Sequence, residues 1–118
     1  MAAAGPLRTT ADPRFLESAG LFAALGDPTR LRVVARLCDR GPQSITRLTD
    51  GIGVTRQAVT RHLFVLEEAG LVRGKRIGRE HLWELELARL DEMRRWLDII
   101  DRQWDDALRG LKRMLENE

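Results

Sequence analysis

Thr55, Arg56, Gln57, Thr60 and Arg61 fall within one seven-residue stretch, and their side chains are those that recognise a nucleic acid. A guanidinium can fork onto O6 and N7 of a guanine, and a carboxamide onto N6 and N7 of an adenine. A threonine hydroxyl or a helix N-terminal amide can meet a phosphate oxygen. A second cationic group, Arg73, Lys75, Arg76 and Arg79, follows at short range. Arg79 is placed for insertion into a minor groove and the other three for phosphates, so the combined chemistry is that of duplex DNA. Taken singly, the helix residues read as solvated side chains and the later cations as the charged decoration of an edge hairpin. Their order along the chain favours recognition.

The elements that would position these groups are legible from caps and periodicity. Asp12-Pro13 supplies an N-cap acceptor and a proline at the first helical position. Phe15, Leu16, Ala19, Phe22 and Ala23 then recur at helical spacing, predicting a first helix to about Leu25. Gly26 breaks it, and Asp27-Pro28 repeats the start signal for a second helix with Leu31, Val34, Ala35 and Leu37 on its apolar face, closed by Gly41. Ser44 caps a short third helix carrying Ile45 and Leu48, which ends near Asp50 and Gly51; Ser44 is also included among the DNA-facing candidates. After the turn Gly51-Ile52-Gly53-Val54, Thr55 caps the fourth helix. There Ala58, Val59, His62, Leu63 and Leu66 share one face, leaving Arg56, Gln57, Thr60 and Arg61 on the other.

Gly70 ends that helix, and two extended runs follow, Leu71 to Arg76 and His81 to Leu85, with Ile77-Gly78 as the turn. Alternation places His81, Trp83 and Leu85 toward the core and Glu80, Leu82 and Glu84 outward. A short helix, a glycine turn, a capped longer helix and a basic hairpin together make a winged helix-turn-helix.

From Ala88 onward, Leu90, Met93, Leu97, Ile100, Trp104, Ala107, Leu111 and Met114 follow steps of three and four, with Leu108 and Leu115 widening the stripe. Unbroken, this tract is roughly 40 Å long, more apolar helix than the small body can cover. The expected cover is a second copy of the chain, with Phe15 and Phe22 of the first helix joining Leu97, Ile100, Trp104, Leu108, Leu111 and Leu115 at a two-fold interface. The competing reading folds the helix back on its own domain.

The chain has 118 residues, 43% hydrophobic and 32% charged, with a formal net charge of +2. This is the balance of one globular domain, and too weakly basic to argue for nucleic acid by itself. The distribution says more, because the basic excess lies between Gly51 and Leu82 while the tail from Glu86 is acidic. The single cysteine, Cys38, excludes an intrachain disulfide and fits a reducing cytoplasm; no run is long and apolar enough to span a membrane. The chain lacks a Ser/His/Asp arrangement, a phosphate loop and an HExxH pair, so an enzyme is not expected. The fold class expected is mainly α (α+β): four helices, a hairpin and a fifth helix. Residues 1–11 are a flexible segment, 12–85 the winged helix-turn-helix and 86–118 a helical dimerisation region.

Three segments, LFAALGDPTRLRVVARL, IGVTRQAVTRHLFVLEEAGLV and GKRIGRE, resemble the ArsR/SmtB family of bacterial winged-helix repressors. The resemblance covers Leu21 to Leu85. It implies a homodimer joined by its first and last helices, binding an inverted-repeat operator in double-stranded DNA and released by an effector. The family's thiolate site maps onto Pro42 to Leu48. There Ser44 and Thr46 stand for cysteines and Arg47 for an aspartate, and hydroxyls are poor ligands for a soft metal. The last helix has no histidine for the family's other site. The expectation is therefore no metal and no cofactor, with an effector of unspecified, non-metal chemistry. Cys38 reads as a small buried residue, with an intersubunit disulfide as the alternative, and His62 and His81 as inward-facing core histidines. Phe64 departs from the small residue usual at its position, either touching a thymine methyl or packing under the wing. The alternative function is a winged helix used for protein contacts alone, which would call for an acidic or apolar recognition face.

Overall fold

The computed structural model describes residues 11–117. Along the chain run α1 (Pro13–Glu17), α2 (Ala19–Leu25), α3 (Pro28–Arg40), β1 (Gln43–Ser44), α4 (Ile45–Thr49), α5 (Arg56–Glu68), β2 (Val72–Ile77), β3 (Glu80–Leu85) and α6 (Leu87–Glu116). The strands form one antiparallel sheet in the order β1-β3-β2. The architecture is mainly helical with a small sheet, a winged helix-turn-helix as expected. The segment 1–11, expected to be flexible, lies outside the described residues apart from Ala11.

Local cap chemistry places most helix starts. The carboxylates of Asp12 and Asp27 accept from the amides of Arg14 (2.9 Å) and Arg30 (3.0 Å), each followed by a proline at the first helical position. Ser44 and Thr55 accept from Arg47 and Ala58 at 3.3 and 3.1 Å. At the other end of α5, Gly70 takes a positive φ of 83° and the Leu71 amide returns to the Leu66 carbonyl at 2.9 Å. That arrangement stops the helix where a side chain would be strained.

The core joins Leu21 and Ala24 of α2, Val33, Val34 and Leu37 of α3, Leu48 of α4, Val59, Leu63 and Leu66 of α5, Leu71 just before β2, and Val72 and Trp83 of the sheet. Ile52, in the middle of the glycine turn, is also buried and anchors that turn from beneath.

Several expectations are corrected. The first helix is not continuous to Leu25, because Ser18 interrupts it. Its hydroxyl donates to the Phe15 carbonyl, the acceptor that the Ala19 amide would need for the helix to run on, and this local bond competes with helix continuation. The buried positions there are Ser18, Leu21 and Ala24, whereas Leu16, Ala19 and Ala23 face solvent. In α3, Leu31 and Ala35 are exposed and Val33 takes the inward place, a rotation set by what the helix packs on. Cys38 is exposed, not a buried small residue.

The hairpin turn is shifted by one residue. Ile77 pairs with Glu80, so Gly78 and Arg79 make a two-residue turn. Gly78 has a φ of 63° and Arg79 a negative φ, the combination a type II′ turn requires. His81 is exposed, though it stacks on Trp83 with centroids 4.9 Å apart. It lies across Gly74, where any Cβ would collide with the ring. Leu82 is half-buried because β1 covers it, Ser44 pairing with Leu82 and Gln43 with Trp83. The two-residue strand β1 was not anticipated.

Helix α6 spans 30 residues, about 45 Å at ~1.5 Å per residue. Near its start Met93 enters the core and Trp96 meets Phe15 edge to face, centroids 5.3 Å apart.

Truncating Leu63 to Ala opens a void where α5 meets the rest of the core. The expected loss is roughly 2–5 kcal/mol of stability, read as a lower denaturant midpoint at unchanged slope. A change under about 1 kcal/mol would mean that α5 is not held by this face.

Candidate nucleic-acid interface

The interface is built on α5, whose two sides differ in kind. Val59, Leu63 and Leu66 are 0% exposed, while Arg56, Gln57, Arg61 and Phe64 face solvent on the opposite side. Gln57, Arg61 and Phe64 are spaced by four and three residues and so form one outward stripe. Thr60 is half-exposed beside it and donates its hydroxyl to the Arg56 carbonyl at 2.9 Å, leaving oxygen lone pairs free to accept. Thr55 is exposed; its oxygen accepts the Ala58 amide, which leaves its proton free to donate.

The wing carries the second group. Lys75, Arg76 and Arg79 are exposed, with Arg79 at the turn. Lys75 lies across from Leu82 and Arg76 across from His81, so the two cations project from opposite faces of the hairpin. Among the described residues no carboxylate lies within 4 Å of Arg56, Arg61, Lys75, Arg76 or Arg79. Arg73 differs. Its Nε lies 2.9 Å from Glu84 and 3.4 Å from Glu86, and the hydrogen bond to Glu84 pushes its pKa above the ordinary arginine value. Its charge is balanced at the wing's base.

Ser44 is half-buried, with its oxygen engaged in the α4 cap and its backbone in the sheet. The remaining candidates thus lie on two elements, α5 and the hairpin, while Ser44 and Arg73 also make bonds within the fold itself.

Two features were not foreseen. Arg36 of α3 reaches the end of α4, where its guanidinium donates to the carbonyls of Leu48 (2.9 Å) and Asp50, closing the helix at the glycine turn. It thereby fixes the path from α4 into α5, through contacts 12 and 14 residues away that no local pattern announces. The other is a shallow cleft between α4 and the start of α5, lined by Thr46, Arg47, Thr49, Asp50 and Arg56. Arg47 is exposed there.

His62, on the inner flank of α5, lies with Nδ1 3.3 Å from Arg30 and 3.8 Å from Asp27. It links the reading helix to the cap of α3. The Arg30 amide hydrogen bond, with His62 and Arg30 nearby, holds the Asp27 carboxyl below its usual range. No group of three or more His, Cys, Asp or Glu suited to a metal occurs among the described residues. No helix among them is long and apolar enough to cross a membrane.

An exposed polar and cationic helix face beside a basic hairpin defines a DNA-binding winged helix-turn-helix. Residues 25–75 match a family model described as a helix-turn-helix domain. An HTH-type transcriptional regulator of Mycobacterium tuberculosis is 36% identical over 97 residues, 82% of this chain and 87% of the relative. The HTH-type transcriptional repressor SmtB of the same species is 38% identical over 71 residues, 59% of this chain and 52% of the relative. A solved structure, an ArsR-like transcriptional regulator from Rhodococcus sp. RHA1, superposes with a TM-score of 0.75 at 35% identity, covering 87% of this chain and 96% of the other. The chain belongs to the ArsR/SmtB family of winged helix-turn-helix regulators. It is a DNA-binding transcription regulator and not an enzyme.

A carboxyl whose pKa is depressed in the fold stabilises it above the ordinary carboxylate range, and that contribution is lost as pH falls through the lowered value. The melting temperature of the wild type should therefore exceed that of Asp27→Ala at about pH 5, by a margin that shrinks as the pH falls toward 3. A margin that grew between about pH 5 and pH 3 would contradict the capping role.

Proposed function

We propose that the chain is a cytoplasmic repressor that binds an inverted-repeat operator as a homodimer, with residues 12–85 reading the DNA and 86–118 joining the copies. The observation that carries the DNA-reading part is the division of α5: an inner face buried to completion and an outer one of Gln57, Arg61 and Arg56 without carboxylate partners among the described residues. In this reading Arg61 and Gln57 hydrogen-bond base edges in the major groove, with Arg56, Thr55 and Thr60 at its edge or on phosphates. Arg79 enters the adjoining minor groove. Lys75 and Arg76, on opposite faces of the wing, reach the phosphates of opposite strands across that groove. Arg73, neutralised by Glu84 and Glu86, and Ser44 position the wing and α4 without contacting DNA.

The dimeric part rests on α6. Leu97, Ile100, Trp104, Leu108, Leu111 and Leu115 are all exposed along one stripe, Trp104 at 65%. So much apolar surface in one contiguous patch calls for a partner. A two-fold pairing of α6, with Phe15 and Phe22 at its flank, covers it and sets two reading helices against two half-sites. The release signal is an effector other than a metal: Ser44 spends its oxygen on a cap, Thr46 offers only a hydroxyl, and Arg47 brings a cation to the same segment.

Operator binding should weaken steeply with salt, and Arg61→Ala should cost about 1–3 kcal/mol while relaxing specificity at one base pair of each half-site. Lys75→Ala should lower the salt slope by about one per subunit, and Arg73→Ala should leave it unchanged. Titration of a selected operator at several salt concentrations reads both. Equal binding of all sequences by the wild type would overturn the repressor reading.

Replacing Trp104 and Leu108 with glutamate should give a folded monomer in sedimentation equilibrium, with operator affinity reduced at least tenfold by loss of the second half-site. An unchanged dimer would place the interface elsewhere.

A further inference from the structure

Of the three phenylalanines, Phe15 and Phe22 are half-buried and Phe64 alone is exposed, at 59%. It does not pack under the wing. It continues the outward stripe of α5, three residues beyond Arg61 and seven beyond Gln57, turned away from the buried Val59, Leu63 and Leu66. Among the described residues nothing covers this ring.

Its neighbours on the stripe define what can. Toward the helix start the stripe is polar and cationic, which suits the edges of base pairs. One turn further on, Glu67 and Glu68 place carboxylates that a phosphate backbone repels, so Phe64 is the last residue of the stripe that a groove can accommodate. The apolar group that the major groove presents is the C5 methyl of thymine, and an aromatic side chain is among its natural contacts.

We propose that Phe64 reads the C5 methyl of a thymine in each operator half-site and is a specificity-determining residue of this regulator. The proposal rests on the DNA-reading surface put forward above. Side chains three apart on a helix stand about 5–6 Å from one another. Stacked bases lie ~3.4 Å apart. The thymine therefore sits one or two base-pair steps from the base that Arg61 contacts.

Full-length protein with an operator selected from a random duplex pool supplies the test, each thymine in turn being replaced by deoxyuridine, which lacks only the methyl. At one thymine per half-site the wild type should lose about fourfold in affinity, the worth of one buried methyl. Phe64→Ala should bind thymine and uracil versions of that position equally, keep its discrimination at the Arg61 base and unfold at the wild-type temperature. Phe64→Leu should retain part of the methyl preference. A wild type indifferent to every thymine-to-uracil change, or a Phe64→Ala protein with the wild-type thymine-to-uracil ratio, overturns the proposal and turns the exposed ring toward a protein partner. Failure to select any preferred sequence would instead bring down the DNA-reading surface itself, and the role of Phe64 with it.

Discussion

Burial of one face of α5 is the constraint on which the rest of the molecule turns. A helix offers its side chains at 100° intervals, so fixing Val59, Leu63 and Leu66 in the core fixes the rotation of the helix about its own axis. The direction of Gln57 and Arg61 is then no longer adjustable. The neighbouring elements can be understood by how they support that burial: α2 and α3 wall the core, α4 and Ile52 close it beneath the turn, and Leu71, with Val72 and Trp83 of the sheet, seals the far end. Close packing lets little of this shift alone, and specificity for bases depends on such preorganisation.

Charge follows the same division of labour. Arg73 is balanced by Glu84 and Glu86, and Arg94 and Arg95 of α6 both meet Asp91, so these cations add little field of their own. Arg36 is spent on backbone carbonyls. The groups of α5 and the wing tip are left without such partners among the described residues. A net charge of +2 thus understates the field that a polyanion would meet at this surface.

What could be read from the sequence was what local chemistry decides. The caps at Asp12, Asp27, Ser44 and Thr55 form where expected, because each acts on amides two or three residues away. The two faces of α5 were equally legible, since their residue types are so unlike. The misreadings came where partners are distant in sequence. Whether Leu31 or Val33 points inward depends on what α3 rests against, and both are hydrophobic. Strand β1 is two residues long and exists only because β3 lies beside it. The reach of Arg36 to Asp50 carries no periodic trace, and Ser18 breaks a helix through a bond that its residue type permits but does not require. On the site itself, composition marked Arg73 as a cation, and only the register that sets Glu84 across from it reveals its ion pair.

The pairing of Ser44 with Leu82 has a consequence larger than its size. It stitches the start of α4 to the second strand of the wing, while the Leu71 carbonyl holds the Glu86 amide at the wing's base, 2.8 Å away. Helix-turn-helix and hairpin are thereby tied together by backbone hydrogen bonds at two places, beside the start of α4 and at the wing's base. The small sheet therefore couples the wing to the helix-turn-helix, so that a displacement of either is felt by both.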